Sequence, residues 1–235
     1  MNPFTDLSPL GALRQERRFQ LISQNLSNVQ TVGYKKDVPL FSTLLSQAVD
    51  RFPGQKEEES AISFQQGNIE KTGNSLDLAI EGEGFFKVLT PYGIRYTRAG
   101  HFKVDREQRL TQADGFPILG KNGEIRLSGK EMIVGKDGRI HSDGAEVNRI
   151  LLVTFNDPTR LRKEGKNLFL AESPEVEREV EFATVLQGYL EQSNVHSVEE
   201  MVKLIDALRT YESCMKMIQA RDELTGKVVN ELGRV

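Results

Sequence analysis

Two carboxylates separated by one residue are the first side chains in this sequence that could do chemistry. Glu81 and Glu83 alternate with Gly82 and Gly84, and in a strand both carboxylates would lie on one face. A glycosidase uses two carboxylates several ångströms apart across a sugar. An i, i+2 pair in a glycine-rich turn is more typical of solvated surface, because catalytic acids need a cleft that shifts their pKa values.

Other residues that serve in catalysis or bind metals are few and widely spaced. His101, His141 and His196 form no H-x-x-x-H or H-E-x-x-H pattern. Cys214 is the single cysteine, which excludes an internal disulfide and a cysteine-based zinc cluster. The glycine-rich stretch at 82–84 is not followed by a helical pattern, so it does not fit the dinucleotide-binding fingerprint. The sequence therefore predicts no catalytic residues, no cofactor and no metal site.

The composition is that of a folded chain without strong attraction for polyanions. The 235 residues carry 31 Lys and Arg against 34 Asp and Glu, a net charge of −3. Nucleic acid and anionic lipid are therefore not expected partners. The longest apolar runs, such as 150–153, fall far short of the roughly 20 residues that cross a bilayer. The N-terminus lacks a basic and apolar leader, so we expect no cleaved signal peptide, which alone favours the cytoplasm.

Hydrophobic periodicity predicts a helix near each end of the chain. The first covers 8–30 and ends before Gly33, a natural terminator. The second runs from Val198 to Leu232 and would be about 50 Å long. Apolar residues in the two helices recur every three or four positions: Phe19, Ile22, Leu26 and Val29 in the first, and Met201, Leu204, Leu208, Tyr211, Met215 and Ile218 in the second. A rod of this length cannot cover its apolar stripe with a compact domain of this size, so it needs a partner helix.

Between the helices, short β-prone runs alternate with turns that contain glycine. The runs are Phe85–Thr90, Ile94–Thr97, Phe102–Val104, Glu124–Leu127, Met132–Val134 and Arg149–Phe155. This spacing predicts a mainly β central domain of antiparallel strands, a sandwich or open barrel, flanked by terminal α-helices that pair as a coiled coil. We place an N-terminal helical segment at 1–41, a polar connector at 42–75, the β-rich domain at 76–186 and the long helix segment at 187–235.

Three motifs in order along the chain resemble those of the bacterial flagellar rod and hook proteins. Residues 25–35 (NLSNVQTVGYK) resemble the N-terminal signature of that family, although Gln24 stands where a second Asn is common. Residues 188–195 (GYLEQSNV), with Arg209, Tyr211 and Glu212, resemble the C-terminal signature. Residues 76–86 (LDLAIEGEGFF) and 96–102 (YTRAGHF) are similar to the shared core of the rod proteins.

The resemblance implies a structural subunit of the flagellar basal-body rod, not an enzyme. In that family the terminal helices lie together in the inner tube, and the β domain lies outside it. Subunits join head to tail without closing, which produces a helical filament. The resemblance also implies type III export without signal cleavage, passage through peptidoglycan and torque transmission across the periplasm, which replaces the cytoplasmic expectation. Implied partners are other rod proteins, copies of this chain and the export apparatus, without membrane insertion or nucleic acid.

Within that family the sequence is most similar to the proximal-rod type. The acidic connector between Phe41 and Phe64 is short, whereas distal rod proteins usually carry a longer glycine-rich extension there. The segment 148–169 also resembles the proximal type. A distal rod protein is the nearest alternative; further alternatives are a peptidoglycan-acting enzyme that uses Glu81 and Glu83, and an adaptor whose helices close into a small bundle.

The expected subunit interface combines the apolar stripes with the terminal signatures. Asn25, Asn28 and Asn194 lie near helix ends, where an amide either caps locally or bridges main-chain groups of neighbouring subunits. The predicted interface residues are Phe19, Ile22, Asn25, Leu26, Asn28, Val29, Thr31, Gly33, Tyr34, Leu190, Glu191, Ser193, Asn194, Val195, Met201, Leu204, Ile205, Leu208, Arg209, Tyr211, Met215 and Ile218.

Overall fold

The computed structural model describes residues 9–39, 60–129, 131–171, 177–180 and 183–232. These divide into two compact units. The helical unit takes its described residues from 9–27, 37–39, 60 and 195–232, and the β unit from 28–36 and 61–194. The predicted class, antiparallel β strands between an N-terminal and a C-terminal helix, is confirmed. Most of the predicted connector lies outside the described residues.

Two helices that pack against each other form most of the described helical unit. Helix α1 is Pro9–Ser27 and helix α2 is Ser197–Leu232; the short strand β1, Asp37–Pro39, packs on α1. Proline at the first helical position costs nothing, because its missing N–H would have no partner inside the helix. Within the described ranges, neither helix is both long and apolar enough to cross a membrane.

The β unit contains most of the strands, and its central element is a six-stranded antiparallel sheet. The strands are β2 (Ser60–Ile62), β3 (Ile69–Lys71), β4 (Leu78–Glu81), β5 (Phe85–Thr90), β6 (Gly93–Thr97), β7 (Phe102–Val104), β8 (Leu110–Gln112), β9 (Leu119–Gly120), β10 (Gly123–Glu124), β11 (Met132–Val134), β12 (Arg139–Ser142), β13 (Ala145–Arg149), β14 (Leu152–Phe155), β15 (Leu161–Gly165), β16 (Leu168–Ala171), β17 (Glu177–Glu179), β18 (Thr184–Gln187) and β19 (Tyr189–Glu191). The sheet order is β15-β16-β6-β5-β14-β17. Smaller sheets are β11-β12-β13 and the pairs β4–β18, β3–β19, β7–β8 and β9–β10.

Both faces of the central sheet are buried. Successive side chains of a strand point to opposite faces, so the neighbours Phe85 and Phe86 enter different clusters. Phe86 packs with Phe102, at 5.1 Å between ring centroids, in a large aliphatic core. Phe85 packs with Phe155, at 5.8 Å, in a smaller aromatic core. The β unit therefore buries most of its large apolar side chains within a single chain.

Candidate functional site

The three sequence motifs meet in the β unit at a buried cluster of charged side chains. Lys35 Nζ lies 2.6 Å from Glu191 Oε1, and Arg98 Nη1 lies 3.2 Å from Glu191 Oε2. The side chains of Lys35 and Glu191 are each 1% exposed, and that of Arg98 is 5% exposed. Each residue comes from a different motif, so Glu191 joins segments that are far apart along the chain. We call these three residues the ion cluster.

Backbone groups complete the ion cluster. Gly67 N donates to Glu191 Oε1 at 3.0 Å, and Lys35 Nζ also donates to the Gln65 carbonyl at 2.8 Å. Arg98 Nη2 donates to the Gly82 carbonyl at 2.8 Å. These bonds fix the direction of each side chain, which a buried charge requires if its desolvation is to be offset.

Burial dominates the electrostatics of the two cations. Desolvation lowers the pKa of Lys35, and the attraction of Glu191 opposes that shift. Desolvation also lowers the pKa of Arg98, again against the opposing attraction of Glu191. Two cations share one carboxylate, so the cluster carries one surplus positive charge. Arg98 Nε is buried and has no hydrogen-bond partner among the described residues.

The two segments that pass the ion cluster are bonded to each other. Gly33 N donates to the Glu191 carbonyl at 2.7 Å, and Lys36 N donates to Asn194 Oδ1 at 2.7 Å. Gly33 has φ +68°, and a Cβ there would lie 2.4 Å from Ala99 N, so only glycine fits without movement of the backbone. Signature residues 33–36 and 191–194 are thus joined within a single chain.

The signature asparagines bind main-chain groups of their own chain. In the helical unit, Asn25 Nδ2 donates to the Asp37 carbonyl at 2.8 Å, and Asn25 Oδ1 accepts from Asp37 N at 2.9 Å. Thr31 N donates to the Asn28 carbonyl, and Thr31 Oγ1 donates to Asn28 Oδ1, both at 3.1 Å. Asn194 Nδ2 donates to main-chain carbonyls in the β unit. Of these contacts, that between Asn28 and Thr31 is local, whereas Asn25 and Asn194 bind main-chain groups 12 and 129–131 positions away. A bridge from these amides to neighbouring subunits stays a prediction.

Helix α2 carries two heptad rows where the sequence predicted a single stripe. The inner seam contains the buried residues of the helix and their heptad neighbours: Glu200, Leu204, Ala207, Tyr211, Cys214 and Ile218. Ala207 and Tyr211 of this seam, together with the adjacent Leu208, line a groove with Phe19 of α1. The outer seam is displaced by about 100° around the helix and contains Val198, Met201, Ile205, Leu208, Glu212 and Met215. The stripe predicted from the sequence alternates between the two seams along the helix. Its outer-seam members are Met201, Leu208 and Met215, and its inner-seam members are Leu204, Tyr211 and Ile218.

Most of the outer seam is exposed. The exposed fraction falls from 72% at Val198 to 41% at Leu208, and Met215 is half-buried. Apolar side chains on one strict 3-4 spacing are the pattern of a coiled-coil contact surface. Among the described residues of the helical unit, α1 cannot cover all of α2, because 19 residues reach about 28 Å and 36 residues about 54 Å.

The predicted interface residues therefore fall into three environments. Buried are Ile22, Asn25, Gly33, Tyr34, Leu190, Glu191, Asn194 and Val195; half-buried are Leu26, Asn28, Val29, Thr31, Ser193, Leu204, Met215 and Ile218; exposed are Phe19, Met201, Ile205, Leu208, Arg209 and Tyr211. Neither Lys35 nor Arg98 is assigned a role from the sequence beyond membership of its motif. The feature that could have revealed the ion cluster is one basic residue in each of two motifs, Lys35 and Arg98, and the acidic Glu191 in the third.

The residues considered for catalysis do not form a catalytic cluster. Glu81 ends β4, Glu83 lies in the exposed turn that follows, and His101 Nδ1 lies 3.0 Å from Asp77 Oδ1. In the described ranges, no group of three or more His, Cys, Asp or Glu side chains could hold a metal ion.

Two family models match the chain, one in the β unit and one over the C-terminal helix. Residues 79–142 match the flagellar hook protein FlgE/F/G D1 domain. Residues 186–232 match the flagellar basal body rod FlgEFG protein C-terminal region. The two matches include Arg98 and Glu191 of the ion cluster and both seams of α2.

Curated relatives match over nearly the whole chain. The flagellar basal-body rod protein FlgF of Caulobacter vibrioides is 34% identical, covering 99% of this chain and 98% of the relative. FlgG of Borreliella burgdorferi is 32% identical over 95% of this chain and 96% of the relative, and FlgF of Rhizobium meliloti is 30% identical over 93% and 92%. These proteins are structural subunits rather than enzymes. The chain belongs to the flagellar basal-body rod protein family.

Proposed function

We propose that this rod subunit polymerises through its terminal helices, with the outer seam of α2 as the contact to a neighbouring subunit. The observation that carries the proposal is the exposure of Val198, Met201, Ile205 and Leu208 on one heptad row. Covering each such side chain contributes about 1–2 kcal/mol, and a row of them favours a helix partner. The helices of many copies would then form the coiled-coil inner layer of the rod, and residues 76–186 its outer domain.

Head-to-tail contact through this seam suits a polymer that transmits torque. In this proposal the outer seam meets a different surface of the neighbour, and such a contact repeats as an open filament when its rotation does not close a ring. The exposed predicted residues, Phe19, Arg209 and Tyr211 among them, are the direct candidates for subunit contact. The buried ones, such as Asn25 and Glu191, act by shaping the subunit that presents the seam.

We infer further that the subunit is of the proximal-rod type. The alignment with the Caulobacter FlgF is 241 positions long and covers 99% of this chain. The alignment with the Borreliella FlgG is longer, 259 positions, although it covers only 95% of this chain. The FlgG relative therefore carries more residues that this chain lacks, which agrees with the short connector between Phe41 and Phe64 that the resemblance associates with the proximal type. Export through the type III channel without signal cleavage, and a periplasmic position across the peptidoglycan layer, belong to the same proposal.

Leu208→Asp tests the seam. Leu208 is 41% exposed at the edge of the groove with α1, so the aspartate would stay in contact with solvent in the isolated subunit. In the polymer it would be buried without a partner, and we expect a folded subunit that is absent from the rod. The matched control is Ser213→Asp, which adds the same charge at an exposed position outside both seams. Circular dichroism checks folding, and immunoblots of purified basal bodies, together with swimming assays, check incorporation. Normal rods built from Leu208→Asp subunits would refute the seam as a contact.

Imaging of basal bodies with a labelled copy of the chain tests the position in the rod. We expect the label at the cell-proximal end. A label confined to the distal end would make the chain a distal rod subunit and leave the seam proposal standing.

A further inference from the structure

The chain leaves the β unit at two places that lie side by side. Residues 33–36 lead along the chain to β1, and residues 191–194 lead to α2. Lys36 N donates to Asn194 Oδ1 at 2.7 Å, and Asn194 N donates to the Tyr34 carbonyl at 3.3 Å. The ion cluster lies at the same crossing, since Lys35 belongs to one segment and Glu191 to the other.

We propose that the Lys35–Arg98–Glu191 cluster is an ionic clamp that holds these two segments at a fixed spacing against the β unit. Lys35 and Glu191 are 156 residues apart in sequence, and Arg98 is 93 residues from Glu191. A single carboxylate therefore ties both departing segments to the middle of the β unit.

The charges of the clamp and the directions of its hydrogen bonds distinguish it from apolar core packing. Apolar side chains slide past one another at little cost, whereas a buried carboxylate with donors on both oxygens loses them all if it moves. Removing one partner of such a group leaves an uncompensated charge in the interior, which is strongly unfavourable. The clamp therefore has one stable arrangement, in which both segments are held.

Glu83 supplies the counter-charge that the cluster lacks. The three buried groups carry one surplus positive charge, and Arg98 donates to the carbonyl of Gly82, the residue before Glu83. Desolvation lowers the pKa of Arg98, and the charge of Glu83, after that of Glu191, opposes this shift. Glycines at 82 and 84, with φ of +96° and +136°, shape the turn that carries it. In this proposal Glu83, which was considered for catalysis together with Glu81, balances the surplus positive charge of the ion cluster.

Amide hydrogen exchange on the purified full-length chain tests the clamp. In Glu191→Gln two buried cations lose their anion, so we expect exchange at Gly33, Lys36 and Gly67 to be faster by about a hundredfold or more. Glu83→Gln, which removes only the outer counter-charge, should accelerate the same amides by less. The control Glu179→Gln removes the carboxylate from an ion pair with Lys121 on the surface, where both side chains are about 40% exposed, and should change nothing.

A variant without charges keeps the test decisive if Glu191→Gln does not fold. Replacement of all three cluster residues by Met removes the charges but retains apolar volume, and such replacements commonly preserve a fold. We expect this triple variant to fold and still to exchange faster than wild type at Gly67. Wild-type exchange in Glu191→Gln, or in the triple variant, would overturn the clamp, and so would global unfolding of the triple variant. The measurement uses the isolated chain, so its outcome is independent of the outer seam.

Discussion

The two units treat apolar side chains in opposite ways. In the β unit, Phe85 and Phe86 enter separate cores on the two faces of one sheet, and both are almost fully buried. In the helical unit, most of the outer seam of α2 is exposed in the isolated chain, from Val198 to Leu208. The β unit therefore completes its own core, whereas the helical unit leaves apolar side chains of α2 exposed. Exposed apolar rows of this kind mark interaction sites in soluble proteins.

The largest expected effect comes from breaking the self-contained core of the β unit. Phe86 is fully buried, so Phe86→Ala should lower the free energy of unfolding of this unit by about 3–5 kcal/mol, through lost transfer energy and the cavity left behind. Urea unfolding of the purified chain measures it. Tyr92→Ala is the control, because Tyr92 is 85% exposed at the β5–β6 turn and should cost under about 0.5 kcal/mol. Equal losses at the two positions would contradict the assignment of the core.

A smaller effect is expected where the helices of one chain meet. Ala207 of the inner seam is buried, and Ala207→Asp would place an unpaired charge there, at a cost of about 2–3 kcal/mol to the helical unit. We expect the thermal transition followed by helical circular dichroism to fall, while tertiary signals of the β unit are retained. Ala220→Asp, at an exposed position of the same helix, should leave both unchanged. A loss of β-unit signals in Ala207→Asp would show that the two units do not unfold separately.

Much of the β unit could be predicted, because each strand carries its own local signal. Phe85–Thr90, Phe102–Val104 and Met132–Val134 form strands with the predicted bounds. The run Arg149–Phe155 was wrong as a single strand: β13 ends at Arg149 and β14 begins at Leu152. Ile150 instead forms a bridge with Gly120, and its N–H donates to the Gly138 carbonyl. That contact with distant residues breaks the strand, and no local pattern signals it.

The candidate site was only partly predictable for a related reason. The signatures identified Gly33, Glu191 and Asn194, but spacing along the chain cannot pair Lys35 with a carboxylate 156 positions away. The helical period likewise predicted α2 without dividing its apolar residues between two seams, because 3-4 spacing fits either row. Which row is covered depends on where α1 packs, and packing is a tertiary property.

The smallest effect concerns a surface turn of the β unit. Asp105 Oδ1 accepts from the backbone N–H of Glu107 and of Arg109, and its Oδ2 accepts from Arg109 Nε, all at 2.8 Å. These bonds, first of all that from the Arg109 backbone, hold the pKa of Asp105 below its usual range. A depressed folded-state pKa gives stability that is present above the unfolded value and lost as the pH falls through the folded value.

Asp105→Asn should therefore flatten the acid dependence of the β unit. We expect the melting temperature of wild type to fall more steeply below about pH 4, where unfolding takes up protons at this turn, and the variant to lack that portion of the slope. Glu107→Gln is the control, because Glu107 is largely exposed and lies 3.4 Å from Arg109 in a looser pair. The helical unit should show no difference between wild type and variant over the same range. If Asp105→Asn and wild type lose stability in parallel on acidification, the turn does not hold the carboxylate in its charged form.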